Sequence, residues 1–207
     1  TYLSYNMVVG NAMDSTLGVA SDVLDYALLS APGAPLKQAL LDAGIGKDIY
    51  GDYSDGVLQP YFSVIAKGAR AARKEEFVSI IRNCLQDIVK NGIDKKAVLS
   101  GINYMEFRYR EADFGQFPKG LMYGLDIMGS WLYDDENAFS QVKLLEIYDQ
   151  LKIAVNEGYF ENLIQKWLLD NTHGAILTLV PKRGLAAQRE KELADRLEAY
   201  RSSLSDE

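Results

Sequence analysis

The sequence predicts an α+β fold, with a mostly antiparallel sheet packed against several helices. Three observations predict it. Strand-like apolar segments lie near both ends and before residue 67, while the remainder shows helical spacing of apolar residues. An Asp55-Gly56 turn signal lies between two strand candidates, which marks a hairpin and so antiparallel pairing. The order reads strand, helices, hairpin, many helices, strand, helix, without the alternating βαβ rhythm of a doubly wound parallel sheet.

Each element has a local reason. Tyr2 to Val9 alternates in the manner of a strand. Asp14 or Ser15 can cap a helix running to about Ser30, with Leu17, Val23, Leu24, Ala27 and Leu28 on its apolar side. Ala31-Pro32-Gly33-Ala34-Pro35 breaks it, and Pro35 then opens a short helix that ends before Gly44. Residues 46–53 and 57–66 read as the two hairpin strands around Ser54-Asp55-Gly56. Beyond Gly68, Phe77, Ile81, Cys84 and Ile88 form one helical stripe, widened by Val78, Leu85 and Val89. Asn91-Gly92 stops that helix, and Asp94 caps the next, in which Val98, Ile102, Met105 and Tyr109 recur. Further helices are expected over Leu121 to Tyr133, Ser140 to Val155 and Tyr159 to Leu169. Gly174 to Val180 is an apolar strand closed by Pro181. Leu185 to Leu204 is a last helix, with Leu193, Leu197, Tyr200 and Leu204 in register and a Glu192–Arg196 pair one turn apart. The expected organisation is one α+β domain over residues 1–184, followed by a helix over 185–207 that leads towards a linker.

A chain of 207 residues with 48% hydrophobic and 25% charged residues can bury a large core without staples, which excludes a disordered chain. A net charge of −7 without a local basic patch argues against a nucleic-acid partner. No apolar run approaches the roughly 18 residues of a membrane span, so no membrane partner is expected. The lone Cys84 excludes an internal disulfide and fits a reducing compartment. The chain opens on Thr1 in strand-like sequence and closes in charged helical sequence, so a fragment of a longer polypeptide is expected.

Chemistry-bearing motifs are sparse. One histidine, His173, and one cysteine, Cys84, fall in different elements, so zinc has no ligand cluster. Cys84 lies on an apolar stripe and reads as a buried thiol, and His173 reads as a turn histidine. Gly44-Ile45-Gly46 begins a dinucleotide fingerprint, but Ile49 stands where the third glycine belongs. Asp48, Asp52 and Asp55 hint at calcium, yet Gln59 or Ser63 occupies the twelfth position, where a bidentate glutamate is required. Glu106, Glu111 and Asp113 alternate with Arg108 and Arg110, a mixed-charge pattern typical of an exposed, salt-bridged surface. No catalytic residue and no metal ligand is assigned.

At Asp113-Phe114-Gly115-Gln116-Phe117-Pro118-Lys119-Gly120-Leu121, preceded by Asn103-Tyr104-Met105-Glu106-Phe107-Arg108, the sequence resembles the presequence-protease, falcilysin-like branch of the pitrilysin (insulinase-like) zinc metallopeptidases. Ala34-Pro35-Leu36 with Gly44-Ile45-Gly46, Gly51-Asp52-Tyr53 with Leu58-Gln59-Pro60, Ser130-Trp131-Leu132-Tyr133, Glu157-Gly158-Tyr159-Phe160-Glu161 and Asn171-Thr172-His173 are similar in order and spacing. The resemblance implies one of four homologous α+β domains that close around a peptide. It points to the second, at the end of the N-terminal half, because one histidine cannot supply the H-x-x-E-H zinc motif of the first. Asp113, Phe114, Gly115, Phe117, Pro118, Lys119 and Gly120 are then structural motif residues. The implied function is that of a chamber wall and support within a zinc-dependent oligopeptide-degrading metalloendopeptidase. Zinc belongs to the parent and none to this fragment, which has no active site of its own. The implied partners are the catalytic domain of the same polypeptide and unfolded oligopeptides. The implied location is intracellular, cytoplasmic in a bacterium or an organellar matrix in a eukaryote. The alternative is a free-standing, non-catalytic assembly subunit that pairs with a catalytic chain.

Overall fold

The computed structural model describes residues 1–112 and 114–204. Four strands, β1 (Tyr2–Val8), β2 (Asp48–Ser54), β3 (Tyr61–Lys67) and β4 (Gly174–Leu179), form one sheet in the order β2-β3-β1-β4, with every neighbouring pair antiparallel. The helices are α1 (Ser15–Asp25), α2 (Pro35–Asp42), α3 (Lys74–Asn91), α4 (Lys95–Glu111), α5 (Lys119–Trp131), α6 (Leu145–Ala154), α7 (Tyr159–Leu163) and α8 (Leu185–Ser203). The α+β expectation therefore holds.

The register explains the layering. Leu3, Tyr5 and Met7 of β1, Ile49 of β2, and Phe62, Val64 and Ala66 of β3 all point to one face, where helices bury them. The same core takes Val23, Leu24 and Leu28 from the first helix, Leu36 and Leu40 from α2, Phe77, Ile81 and Leu85 from α3, and Val98 and Ile102 from α4. Phe160, Ile164 and Leu168 close it from the α7 side. Tyr2, Ser4 and Asn6 alternate onto the opposite face, beside Ser63, Ile65, Leu177 and Leu179. There Ser4 and Ser63 donate hydroxyl hydrogens to Asn6 Oδ1 at 2.9 and 2.7 Å, and Asn6 Nδ2 donates to the Ala175 carbonyl across to β4.

The caps read from sequence are present. Asp14 accepts from Leu17 N, Pro35 opens α2, and Asp94 accepts from Lys96 N at 2.9 Å and Ala97 N at 3.2 Å. Replacing Asp94 with alanine removes both acceptors. It is expected to lower stability by about 1 kcal/mol, read from chemical denaturation. Loss below a few tenths would mean that water satisfies those amides equally well.

Several elements depart from the sequence reading in extent or in helix type. The second hairpin strand starts at Tyr61 rather than residue 57, because Leu58 and Pro60 turn their carbonyls to Ala12 N and Val9 N instead of to a ladder partner. Proline also has no N–H to give. The helix expected over Ser140 to Val155 is a short 3-10 turn (Ser140–Val142), then α6, then another 3-10 turn (Val155–Glu157). The helices expected to end at Ser30 and Leu169 do reach them, but both finish in π-helical turns, Tyr26–Ser30 and Ile164–Leu169.

Candidate functional site

The motif residues build the connection between α4 and α5. Asp113 lies outside the described residues. Ala112 adopts the left-handed conformation that ends α4, with φ +50. Phe114 meets Tyr123 of α5 edge-on, with ring centroids 5.3 Å apart. Gly115 turns the chain at φ +59, and Phe117 N donates back to the Phe114 carbonyl. Pro118 precedes the first helical residue, and Lys119 Nζ donates to the Glu111 carbonyl at the end of α4. Gly120 faces open space. Among the described residues of the motif, Phe114 and Lys119 hold the two helix ends together.

The titratable candidates disperse. His173 is exposed before β4, its carbonyl accepting from Val8 N. Cys84 is half-buried against the core, and burial, then Asp87, pushes its thiol up, away from the reactive thiolate. Asp48 and Asp52 lie on the outer face of β2, with Asp48 4.0 Å from Lys37. Among the described residues no three His, Cys, Asp or Glu side chains are grouped to hold a metal ion. Glu106 departs from the expected exposed surface. It is buried between α4 and α6, where Arg110 donates to Oε1 at 2.6 and 2.8 Å and Lys152 donates to Oε2. Lys152 first and Arg110 second hold its carboxyl below the usual range. Both cations reach it from the rim, so the pair pins two helices.

The distinctive surface is apolar. α5 is turned inside out. Leu121, Leu125, Met128 and Leu132 repeat along one side and are 54, 56, 39 and 64% exposed, whereas the buried residue is Ser130, whose hydroxyl donates to the Ala138 carbonyl at 2.8 Å. Beside it an open cleft of about 610 Å³ is lined by Tyr109, Arg110, Tyr123, Ile127, Phe139, Val142 and Leu145. β4 is exposed along its whole length on both faces, Leu177 and Leu179 included, and the Leu193, Leu197, Tyr200 and Leu204 stripe of the last helix is exposed too. The sequence reading placed a helix over Leu121 to Tyr133 and named no buried side for it. The warning signal was Ser130 and Asp126 standing opposite the leucines.

No family model matches the chain. The chain is 39% identical over 206 residues to protein HypA of Clostridium perfringens, an alignment covering all of this chain and 21% of that protein. It is 30% identical over 200 residues to presequence protease 1, chloroplastic/mitochondrial, of Arabidopsis thaliana, covering 94% of this chain and 18% of the relative. The chain is homologous to one part of the presequence proteases. It spans about a fifth of the length of these relatives. The fold of this presequence-protease homologue is shared with pitrilysin-type peptidases. A Bordetella pertussis protein assigned as a zinc protease superimposes with TM-score 0.67 at 12% identity, over 87% of this chain and 94% of that one. Pitrilysin itself superimposes with TM-score 0.52 at 14% identity, over 87% of this chain and 19% of its own. At such identities these structures speak for the fold. No helix among the described residues is long and apolar enough to cross a membrane.

Proposed function

We propose that this chain is the second, non-catalytic domain of a zinc-dependent oligopeptide-degrading metalloendopeptidase of the presequence-protease type. It walls the chamber and supports the zinc-bearing domain of the same polypeptide, in an intracellular compartment. The observation that carries this reading is the outward apolar stripe of α5, Leu121, Leu125, Met128 and Leu132, on a chain that matches only a fifth of its relatives. A face of that kind on a soluble chain marks a contact with another protein surface. The missing four-fifths of the relatives offers the cover. The outer sheet face, with Tyr50, Tyr61, Leu177 and Leu179 exposed, suits a wall for extended peptides.

The test uses the native polypeptide that carries this segment. A Leu125→Asp, Met128→Asp double substitution is expected to lower its peptide kcat/KM at least tenfold, while the isolated 207-residue chain keeps its circular dichroism and melting temperature. Unchanged turnover, or turnover by the isolated chain that a chelator leaves intact, would overturn the reading. Immunoblotting the native source is expected to show a polypeptide several times this length. A native chain of this length would favour the separate assembly subunit instead.

A further inference from the structure

The contact between α1 and the edge strand β2 has an unusual chemistry. Asp25 lies against Gly51, so closely that a β-carbon there would overlap Asp25 Oδ1. That oxygen is fully buried and has no hydrogen-bond partner, while Oδ2 receives only a long 3.5 Å contact from Ser30. Asp22 lies one turn earlier, and the Tyr53 hydroxyl comes up beside Gly18 on the same helix. The groups that face this pair are acidic or phenolic. Tyr53 of β2, Asp55 in the hairpin and Tyr148 of α6 lie about Asp22, Asp14 before α1 adjoins Tyr53, Asp126 of α5 adjoins Asp55, and Asp52 adds its charge from the outer face of β2. Among the described residues, no cation forms an ion pair with Asp22 or Asp25.

A buried carboxylate oxygen with neither donor nor cation is costly, and protonation removes most of that cost. We propose that the α1–β2 contact is a proton-operated latch. Asp22 and Asp25 hold protons while the strand is seated, and their ionisation loosens β2 from the helix. An edge strand suits this role, since β2 is held in the sheet by β3 alone. Burial, then Asp55, Asp25 and Asp52, raise Asp22 to about 8. Burial and then Asp52 raise Asp25 to about 6, against a small lowering by Ser30. Tyr53 is pushed up as well, by burial first and then Asp22. Because both carboxyls bind protons more tightly folded than unfolded, their stabilisation is complete below about pH 4 and is lost as pH rises through 6 to 8.

Hydrogen exchange of the full 207-residue chain between pH 5.5 and 9, corrected for intrinsic rate, tests the latch. Protection over residues 48–54 is expected to fall at least tenfold across that range, and over residues 2–8 less than threefold. In a Asp22→Asn, Asp25→Asn double variant the 48–54 segment is expected to keep near-constant protection. Wild-type protection that ignores pH, or a double variant that retains the wild-type slope, would overturn the proposal. Should the double variant fail to fold, carboxyl carbon-13 titration of the wild-type chain decides. Two aspartates titrating above pH 5.5 support the latch, and all aspartates titrating below pH 5 sink it.

Discussion

Replacing Phe77 with alanine is expected to destabilise the chain by about 3–5 kcal/mol, the cost of lost transfer energy plus an unfilled cavity. Phe77 is fully buried at the start of α3, in the same core as Leu85, Leu36 and Phe160. The surrounding side chains come from the sheet, α2 and the α7 side, and cannot all collapse into the space one ring leaves. Val78, next along the helix and only half-buried, is the control, and its replacement by alanine is expected to cost well under half as much. Urea denaturation followed by circular dichroism measures both. If Phe77→Ala cost less than about 1.5 kcal/mol, below the range for a closely packed interior, the packing described for α3 would be wrong.

The second large effect is expected at Gly51. Its side-chain space is already filled by the Asp25 carboxylate and by Leu29 Cδ1. Gly51→Val therefore forces α1 and β2 apart, and a loss of about 3 kcal/mol is expected, at the upper end of overpacking costs. The partner is known, so the cause can be isolated. Asp25→Ala clears the carboxylate, and in the double variant with Gly51→Ala the two effects are expected to couple by at least about 1 kcal/mol. Simple additivity would mean that strain on the strand itself, and not the carboxylate, dominates.

Much of the architecture was legible in the residues. Asp14, Pro35 and Asp94 named helix starts because orphan N–H groups at a helix end need an acceptor or no hydrogen at all. Phe77 and Ile81 named the buried side of α3 because that helix is solvated on its opposite side. The same reasoning gave α5 as a helix but not the direction of its apolar side. Periodicity reports that a helix has an apolar side, and where another surface covers that side, a chain on its own shows it to solvent. The α1–β2 acids were invisible for a different reason. Asp22 and Asp25 look like ordinary surface carboxylates until Gly51 and Tyr53, more than 25 residues away, are brought against them. Motif residues such as Phe114 and Lys119 were readable through resemblance, yet their work is to join two helix ends, which no spacing rule states.

The last helix carries a mechanical consequence. α8 has 19 residues and leaves the sheet through Gly184, whose φ of +77 sets its exit direction. At 1.5 Å per residue it is a rod about 28 Å long. None of its residues is buried and every one beyond Leu185 is exposed, so the rod is braced against sideways load only near its root. A tilt of roughly 10° at Gly184 would sweep its far end by about 5 Å over that length. Anything fastened to that end would therefore feel small rotations at the root of β4 as amplified displacement, in the manner of a lever on a short pivot.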